Sequence, residues 1–421
     1  MAIRFIHTAD VHLDSPLSSL AVRDPEIAET VGTATRQAFV NIVDLCLEES
    51  VDALLIAGDL YDGQLRSMKT AAFLVDELRR LTAENIRVFI IKGNHDAESK
   101  ITKHLHWPEG VHVFSGRGES VELEALKAVV HGLSFSKPHV SESLLPKYKP
   151  ASPDAINIGL LHTSLGGDAA HDVYAPCSIQ NLVDQGYDYW ALGHIHKRSV
   201  TKKDSCTIVM PGNPQGRSVR ETGLKSVTLV GISDDRVVTV EERNVAVAQF
   251  ERLAVDLSNI SDWGDMAKSL ESVLMEHNSA RPADNTIARL ELHGTTSLAR
   301  TLRRDMDVLV EEARSAAKRA GNVFIETIVL KVTAPDRETE AAIPDPISEL
   351  RTLMLDENFN RIIVENDVAE LLHQLQKNLP PELRDHFGKD DADIARLVDD
   401  YCLEGAEDVL ARLEGAKRRA E

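Results

Sequence analysis

Five short apolar segments in the first half of the chain each lead directly into polar side chains. Long helical stretches, about residues 25–49 and 68–81, separate the first three segments. Apolar segments of this length predict strands that are buried on both faces, and their alternation with amphipathic helices predicts an α/β layered sandwich. The predicted strands are Ile3–Thr8, Ala53–Ala57, Val88–Ile91, Ile156–Leu161 and Tyr189–Leu192.

The polar groups that follow these strands are of the kinds that bind metal ions. In open α/β folds, ligands bind at the carboxyl ends of the strands. A single histidine after a strand is more often a hydrogen-bonded structural residue than a ligand, but five such groups in order favour a metal site. The groups are Asp10-Val11-His12, Gly58-Asp59-Leu60-Tyr61-Asp62, Gly93-Asn94-His95-Asp96, His162 and Gly193-His194-Ile195-His196.

The types of ligand indicate the class of metal. They offer nitrogen and oxygen but no sulfur, a mixture that suits Mn, Fe or Zn rather than Ca or Mg alone. Two ions about 3.5–4 Å apart can clamp both oxygens of an in-line displacement at phosphorus. A carboxylate with two oxygens is the natural bridge between them, and Asp59 is the candidate. The glycines before Asp59, Asn94 and His194 are expected to allow tight turns that direct the next side chain inward.

The order of these motifs resembles the calcineurin-like metallophosphoesterase superfamily. Three further segments resemble one branch of it, the SbcD/YhaO-like bacterial DNA-repair exonucleases. The resemblance implies a metallophosphoesterase β-sandwich flanked by helices, a smaller α/β cap domain and a helical C-terminal region. The motifs cover about residues 1–230, and the three segments are Asp10-Val11-His12-Leu13-Asp14-Ser15-Pro16-Leu17, Tyr174-Ala175-Pro176-Cys177 and Pro211-Gly212-Asn213-Pro214-Gln215-Gly216-Arg217.

The resemblance also implies a ligand set for two divalent metal ions, with Mn²⁺ as the expected metal. Asp59 is a ligand of both ions, as expected of a bridging carboxylate. The implied ligands are Asp10, His12, Asp59 and His196 for one ion, and Asp59, Asn94, His162 and His194 for the other.

Two further residues receive catalytic roles from the resemblance. His95 is expected near the scissile phosphate, where it protonates the leaving oxygen or stabilises the charge of the transition state. Asp62 is expected to orient that imidazole. The archaeal and eukaryotic double-strand-break nucleases that the chain also resembles tend to have a histidine at the position of Asp62, so their finer substrate preferences are not carried over.

Four more residues near these motifs each have two interpretations. Asp96 either supports a metal ligand or is a turn residue or helix cap. His171, Arg217 and Arg220 either contact the substrate, the arginines through its phosphates, or are solvated surface residues.

The rest of the chain divides by pattern and composition. A strand-helix-strand-helix-strand pattern, with helices at about Trp263–His277 and Leu298–Ala320, predicts a small separate domain. A proline-rich acidic stretch predicts a linker, and the helical segments beyond it are Ile347–Leu355, Val368–Gln376, Ala392–Tyr401 and Ala406–Lys417. The predicted boundaries are 1–248 for the catalytic domain, 249–334 for the α/β cap, 335–348 for the linker and 349–421 for a helical partner-binding region.

The formal net charge of −20 argues against a protein that coats nucleic acid non-specifically. Residues 336–421 hold 22 acidic and 11 basic side chains, so much of the excess lies in a segment that need not touch the substrate. No apolar run is long enough to span a bilayer, the N-terminus has no signal-peptide pattern, and the four cysteines are scattered. These features predict a cytoplasmic protein with no membrane association.

The predicted function is two-metal hydrolysis of phosphodiester bonds in DNA, as an exonuclease or endonuclease subunit in DNA repair. The resemblance implies a coiled-coil, SMC-like ATPase as partner, and it leaves a homodimer open. One alternative is a metallophosphatase or phosphodiesterase that acts on a small molecule or nucleotide. The long C-terminal extension argues against this alternative. Another alternative is a non-catalytic scaffold arm of an ATPase complex. The complete ligand set and His95 argue against it.

Overall fold

The computed structural model describes residues 3–15, 25–61, 67–98, 106–166, 174–280, 285–335, 346–355, 362–378 and 391–420. The chain divides into two compact units. The first comprises Met1–Arg252, His277–Arg289 and Asn322–Glu326, and the second comprises Leu253–Glu276, Leu290–Gly321 and Thr327–Glu421. Asp62, His171 and most of the predicted linker 335–348 lie outside the described residues.

The strands, numbered in chain order, are β1 (Ile3–Thr8), β2 (Ala53–Ala57), β3 (Arg87–Ile91), β4 (Val111–Val113), β5 (Glu119–Leu123), β6 (Ala128–Gly132), β7 (Ile156–His162), β8 (Tyr189–Gly193), β9 (Ser199–Lys203), β10 (Cys206–Met210), β11 (Ser226–Ile232), β12 (Val238–Asn244), β13 (Gln249–Asp256), β14 (Thr286–Thr295) and β15 (Val323–Thr333). The helices are α1 (Pro25–Glu48), α2 (Met68–Ala83), α3 (Asn94–Glu98), α4 (Ile179–Val183), α5 (Trp263–Ala280), α6 (Ala299–Arg304), α7 (Met306–Ala320), α8 (Pro346–Leu355), α9 (Ile362–Asn378) and α10 (Asp391–Ala420). The five strands predicted from the apolar segments are confirmed to within one residue at each end.

The first unit is built on two six-stranded sheets within the described residues. The first sheet has the order β12-β11-β1-β2-β3-β4, and the second has the order β5-β6-β7-β8-β10-β9. Strands β1 to β4 are parallel, as are β6, β7, β8 and β10, so the carboxyl ends of each set lie at one edge of the sheet. The predicted α/β layered fold is confirmed.

The two sheets pack face to face through a shared core. Phe5, Leu55 and Phe89 of the first sheet belong to the same buried cluster as Ile158 and Tyr189 of the second. Because successive side chains of a strand point to opposite faces, the residues between them point away from this core.

Helices α1 and α2 cover the outer face of the first sheet. Ile6 of β1 and Leu54 of β2 pack there with Phe39 of α1 and with Leu74 and Leu78 of α2. Both faces of the central strands are therefore buried, which explains their continuous apolar sequences. Burial of each such side chain stabilises the fold by about 1.5–3 kcal/mol.

Residues 249–333 form a three-stranded sheet of order β13-β14-β15 with helices between the strands, as the pattern predicts. The prediction of one helix over Leu298–Ala320 is wrong, because α6 and α7 are separated at Asp305. That residue has φ −107° and ψ 41°, outside the helical region, and its carboxylate accepts hydrogen bonds from two nitrogens of Arg304. The local pairing stabilises the break.

The C-terminal helices also differ from the prediction in one respect. Ala392–Tyr401 and Ala406–Lys417 were expected as two segments, but both lie in the single helix α10. Gly405 lies in its interior, where a Cβ atom would meet no neighbouring group within 4 Å, and a glycine there costs only about 1 kcal/mol relative to alanine. Helix α10 packs against α6, where Arg303 pairs with Asp408 at 3.3 Å. Among the helices that the structure describes, none is both long and apolar enough to cross a membrane.

Candidate metal centre

The strand ends that carry the predicted ligands meet where the two sheets of the first unit come together. His162 ends β7 in the second sheet, and its Nδ1 atom lies 2.9 Å from the carbonyl oxygen of Ala57, the last residue of β2 in the first sheet. Gly193, at the end of β8, approaches the same carbonyl so closely that a Cβ atom there would lie 2.1 Å from its oxygen. The carboxyl edges of the two sheets therefore share one site.

Three overlapping groups of carboxylate and imidazole side chains place their ligand atoms within 4.8 Å of one another. Asp59 belongs to two of these groups, and its side chain is buried. It lies between His12 on one side and His162 on the other, where a bridging carboxylate would lie. The groups are Asp10 with His12 and His196, Asp10 with Asp59 and His162, and His12 with Asp59 and His95.

His162 directs its Nε2 atom toward this site. Because its Nδ1–H donates to the carbonyl of Ala57, the neutral ring carries its proton on Nδ1 and a lone pair on Nε2. Nε2 lies 3.1 Å from Oδ1 of Asn94 and 3.3 Å from Oδ2 of Asp59. Three acceptor atoms that converge in this way repel one another unless a cation or a proton lies among them.

His12 and His196 converge in the same way. Nδ1 of His196 lies 2.6 Å from Oε1 of Glu221 and carries the proton, because a carboxylate only accepts. Nε2 of His196 lies 3.3 Å from Nε2 of His12 and 3.9 Å from Oδ1 of Asp10. The buried Nδ1 of His12 has no hydrogen-bond partner in the part of the chain that the structure describes. A divalent cation fits both convergences, so these residues fit a metal centre.

His194 contributes through its backbone as well as its ring. Its N–H donates to both carboxylate oxygens of Asp10, at 3.1 and 2.9 Å. Its ring packs against those of His162 and Tyr174, with centroids 5.2 and 5.1 Å apart. The structure thus brings His194 beside His162, and its backbone directs Asp10 toward the site.

Four of the predicted ligands have a left-handed backbone conformation. The φ angles are 52° at Asp10, 44° at His12, 53° at Asp59 and 103° at His194. Such angles cost about 1–3 kcal/mol each in residues other than glycine, and they persist where the surrounding structure enforces them. The strain lies in the ligands themselves, a feature that the sequence does not reveal.

The expectation for the preceding glycines is correct at only one of three positions. Gly58 has φ 94°, but neither Gly93 nor Gly193 has a positive φ. At these two positions only a residue without a side chain fits, because other groups approach the backbone closely. A Cβ atom at Gly93 would lie 2.2 Å from Oδ1 of Asp59, so a larger residue there would displace the central carboxylate.

His95 is half-buried, whereas His12 and Asp59 of the same group are buried. Its backbone N–H donates to Oδ1 of Asp59 at 3.0 Å, and its half-buried ring lies edge to face with His12, with centroids 5.0 Å apart. A ring in this place can reach either a metal ion or a substrate that faces the cluster.

Asp96 links the backbone of the loop that carries Asp59 to the backbone of the loop that carries Asn94. Its buried carboxylate accepts hydrogen bonds from the backbone N–H groups of Leu60 at 3.2 Å, Tyr61 at 3.0 Å and Gly93 at 3.0 Å. Burial and the charge of Asp59 raise the pKa of Asp96 to about 6. The side chain thus holds the backbone around the central carboxylate.

Comparison with known proteins agrees with this geometry. Residues 3–198 match the family described as calcineurin-like phosphoesterase, and residues 250–333 match the middle domain of the metallophosphoesterase YhaO. The metallophosphoesterase YhaO of Bacillus subtilis, described as uncharacterized, is 33% identical over 297 residues, which cover 70% of this chain and 72% of that protein. The chain belongs to the calcineurin-like metallophosphoesterase family. It is a metal-dependent hydrolase of phosphoesters, and its resemblance to the SbcD/YhaO-like branch is confirmed.

More distant relatives of this metallophosphoesterase include a DNA double-strand break repair protein, Mre11, of Methanopyrus kandleri. It is 22% identical over 434 residues, which cover 92% of this chain and 86% of that protein. Among solved structures, a dimetal phosphatase from Danio rerio is 12% identical with a TM-score of 0.37, over 58% of this chain and 97% of that one.

Burial and charge act against each other on the ligands of this metallophosphoesterase. Burial raises the pKa of Asp10, whereas at Asp59 the charges of His162 and His12 outweigh burial and lower the pKa. Burial lowers the pKa of His12, and the charge of Arg217 adds to that effect. At His162 burial is outweighed by Asp59, which raises the pKa to about 9. A cation at Nε2 competes with this proton, so metal affinity is expected to rise with pH.

The predicted substrate contacts lie in different surroundings. Arg217 is 26% exposed, its Nη1 donates to Oγ of Ser15 at 3.4 Å, and its buried Nε has no hydrogen-bond partner among the described residues. Arg220 is largely exposed, and partial burial of its guanidinium together with the charges of Arg252 and Arg289 lowers its pKa. The structure therefore places Arg217 near the metal cluster and Arg220 among other arginines.

Glu221 is the functional neighbour that the sequence motifs did not reveal. Burial opposes its ionisation, but the hydrogen bond and charge of His196 outweigh burial and lower the pKa of Glu221 to about 2. The available signal was an acidic residue four positions after Arg217, the last residue of the segment that begins at Pro211. Such a residue has no metal-ligand spacing of its own and is recognised only from its contact with His196.

Proposed function

We propose that this metallophosphoesterase hydrolyses phosphodiester bonds of DNA with two divalent ions of the Mn²⁺ class. The observation that carries the proposal is the convergence of carboxylate, amide and imidazole side chains from both sheets around Asp59, at distances at which they can share a metal ion. The DNA substrate is supported by similarity to the Mre11 protein of Methanopyrus kandleri, which is described as a DNA double-strand break repair protein.

The ligand assignment follows the two halves of the cluster. When bound, such ions supply positive charge to phosphate oxygens and lower the pKa of water. Asp59, which has contacts in both halves, is proposed as the bridge. The proposed ligands are Asp10, His12, Asp59 and His196 for the first ion, and Asp59, Asn94, His162 and His194 for the second.

His95 is proposed to act on the leaving group rather than on a metal. Its backbone N–H donates to Asp59, and its half-buried ring lies beside His12. From there the imidazole can protonate the leaving oxygen or stabilise the charge that develops on it. Asp62 is proposed to orient this ring.

The phosphates of the substrate are proposed to contact Arg217 and Arg220, with His171 as a further contact. Arg217 fits because its guanidinium lowers the pKa of His12 through its charge and because its Nε has no hydrogen-bond partner among the described residues. Phosphate contacts of this kind position the substrate and carry no sequence information.

The C-terminal helices are proposed to bind a coiled-coil ATPase. Eight of the fourteen large apolar side chains that are exposed in the described residues lie in α8, α9 and α10. Val364, Leu371 and Leu375 are exposed at spacings that place them on one face of α9. An exposed apolar face of this kind is typical of an interaction site. The proposed location is the cytoplasm, which fits the four free cysteines.

The test is a nuclease assay with a small-substrate control. Full-length protein and the Asp59→Asn variant are incubated with Mn²⁺ and either linear DNA or bis(p-nitrophenyl) phosphate. The expected result is Mn²⁺-dependent release of nucleotides from DNA by the wild type alone. Hydrolysis of the small diester without any release from DNA would contradict the DNA substrate. Full activity of the variant would contradict the site.

A further inference from the structure

Glu221 connects a predicted metal ligand to the loop that follows β10. One carboxylate oxygen, Oε1, lies 2.6 Å from Nδ1 of His196. The other, Oε2, accepts hydrogen bonds from the backbone N–H of Arg217 at 2.7 Å and from Nδ2 of Asn213 at 3.0 Å. The side chain is only 16% exposed, so these contacts are largely shielded from water.

The contact with His196 determines which ring nitrogen faces the site. A carboxylate cannot donate a hydrogen, so the proton of the neutral imidazole is on Nδ1 and the lone pair is on Nε2. That lone pair is directed toward Nε2 of His12, 3.3 Å away. In His162 the proton is held on Nδ1 by the carbonyl of Ala57, which is a neutral acceptor. In His196 it is held on Nδ1 by a charged acceptor, the carboxylate of Glu221.

The second oxygen of Glu221 stabilises the loop that carries Arg217. The hydrogen bond from the backbone N–H of Arg217 holds the Cα atom of that residue in place. The Nη1 atom of its side chain then reaches Oγ of Ser15, in the loop after His12. Asn213 strengthens the arrangement, because its Nδ2 also donates to the carbonyl of Gln215 at 2.8 Å. One carboxylate therefore sets the position of a metal ligand and of a residue that faces the substrate.

We propose that Glu221 is a positioning residue that holds His196 with Nε2 toward the first metal ion and holds Arg217 toward the substrate phosphate. The inference rests on the ligand set given under the proposed function. Carboxylates behind a metal-ligating histidine fix the orientation of its ring and raise its basicity, and their loss weakens metal binding by roughly 10–100-fold. The first ion depends on His196, whereas the second does not, so the loss should be selective.

The first experiment titrates metal-free, full-length protein with Mn²⁺ and measures free Mn²⁺ by electron paramagnetic resonance. The variants are Glu221→Gln, which keeps the size of the side chain but loses its charge, and Glu221→Asp, which keeps the charge and both acceptors. Glu241→Gln is the matched control, because Glu241 is 61% exposed and pairs with Arg243 on β12. Glu221→Gln should bind one ion roughly 10–100-fold more weakly and the other unchanged. The control should bind both ions like the wild type, and Glu221→Asp should recover most of the affinity.

A double-mutant cycle with His196→Ala separates positioning from a general structural role. If Glu221 acts through His196, then Glu221→Gln should weaken the first ion no further once the imidazole is gone. Additive losses, or a Glu221→Gln variant that binds both ions like the wild type, would overturn the proposal. If Glu221→Gln does not fold, as judged by circular dichroism, the same cycle is run with Glu221→Ala, which also removes the carboxylate, and the same two outcomes decide.

The part of the proposal that concerns Arg217 has a kinetic test. With Mn²⁺ raised until both sites are filled, Glu221→Gln should recover kcat while KM stays several-fold above that of the wild type. An unchanged KM would contradict the positioning of Arg217. KM is measured on DNA and on bis(p-nitrophenyl) phosphate, and the Mn²⁺ titration needs neither. A wild type that binds two ions without cleaving DNA would therefore contradict the proposed substrate but not the role of Glu221.

Discussion

The Nε2 atoms of His12 and His196 lie 3.3 Å apart, although 184 positions separate these residues in the chain. His12 follows β1 in the first sheet and His196 follows β8 in the second, so the contact exists only when the sheets are packed together. Two imidazole nitrogens at this separation can bind a shared cation, and a cation that binds only the folded chain stabilises it. The proposed metal centre therefore also links the two sheets.

Substitution of the central carboxylate should affect both ions. Asp59→Asn removes the negative charge that offsets the repulsion between two close cations, so it should weaken both sites together. Elemental analysis after gel filtration should show the loss of both ions rather than one. Retention of one ion at full occupancy would show that Asp59 belongs to a single site.

His95→Asn should separate metal binding from proton transfer. Both ions should stay bound, while turnover of DNA falls by about 10²–10⁴-fold, the typical cost of losing a general acid. The loss should be much smaller for bis(p-nitrophenyl) phosphate, because nitrophenolate leaves without a proton. Asp62→Asn should show a milder form of the same pattern. Loss of an ion from His95→Asn, or equal slowing of both substrates, would instead make His95 a ligand or a general electrostatic residue.

The strands and the ligand groups could be predicted from the sequence because both are local patterns. Each of the five apolar segments ends within one residue of its predicted boundary, and each is followed directly by its polar group. Parallel strands bring such groups to a common edge without further information. The structure accordingly brings Asp10, His12, Asp59, His162 and His196 into the same cluster.

Features that depend on tertiary contacts could not be predicted in this way. Glu221 has no motif of its own, and only the fold brings it to His196. The positive φ angles of Asp10 and Asp59 occur where two loops join, with the N–H of Asp10 donating to Gly58 and that of His12 to Asp59, so no local propensity reveals them. Gly193 was expected to allow a turn, but its size matters because the carbonyl of Ala57 lies against it.

Asp96→Asn should destabilise the fold and the metal centre together. An amide cannot accept with its nitrogen, so at least one of the backbone N–H groups of Leu60, Tyr61 and Gly93 loses its partner, at a cost of about 1–3 kcal/mol. Urea unfolding should show this loss, and Mn²⁺ affinity should fall. The control is Asp76→Asn, whose carboxylate is 68% exposed. Equal stability of the two variants would mean that the buried contacts of Asp96 contribute nothing.

The stability of the metal-free protein should depend on pH through Glu221. Its pKa in the fold is about 2, below the ordinary value of 4.5, so its contribution is present above about pH 4.5 and is lost as the pH falls toward 2. Glu221→Gln lacks this contribution. The difference in the free energy of unfolding between wild type and variant should therefore shrink as the pH is lowered below about 4.5. A difference that does not change with pH would contradict the ionised state of Glu221.

The most direct measurement is activity as a function of bound metal. Full-length protein is freed of metal with EDTA, and hydrolysis of DNA and of bis(p-nitrophenyl) phosphate is followed as Mn²⁺ is returned. The account predicts no hydrolysis without metal, full activity at two Mn²⁺ per chain, and little recovery with Ca²⁺, which prefers oxygen ligands to the four imidazoles of this site. Undiminished hydrolysis after exhaustive EDTA treatment would contradict it.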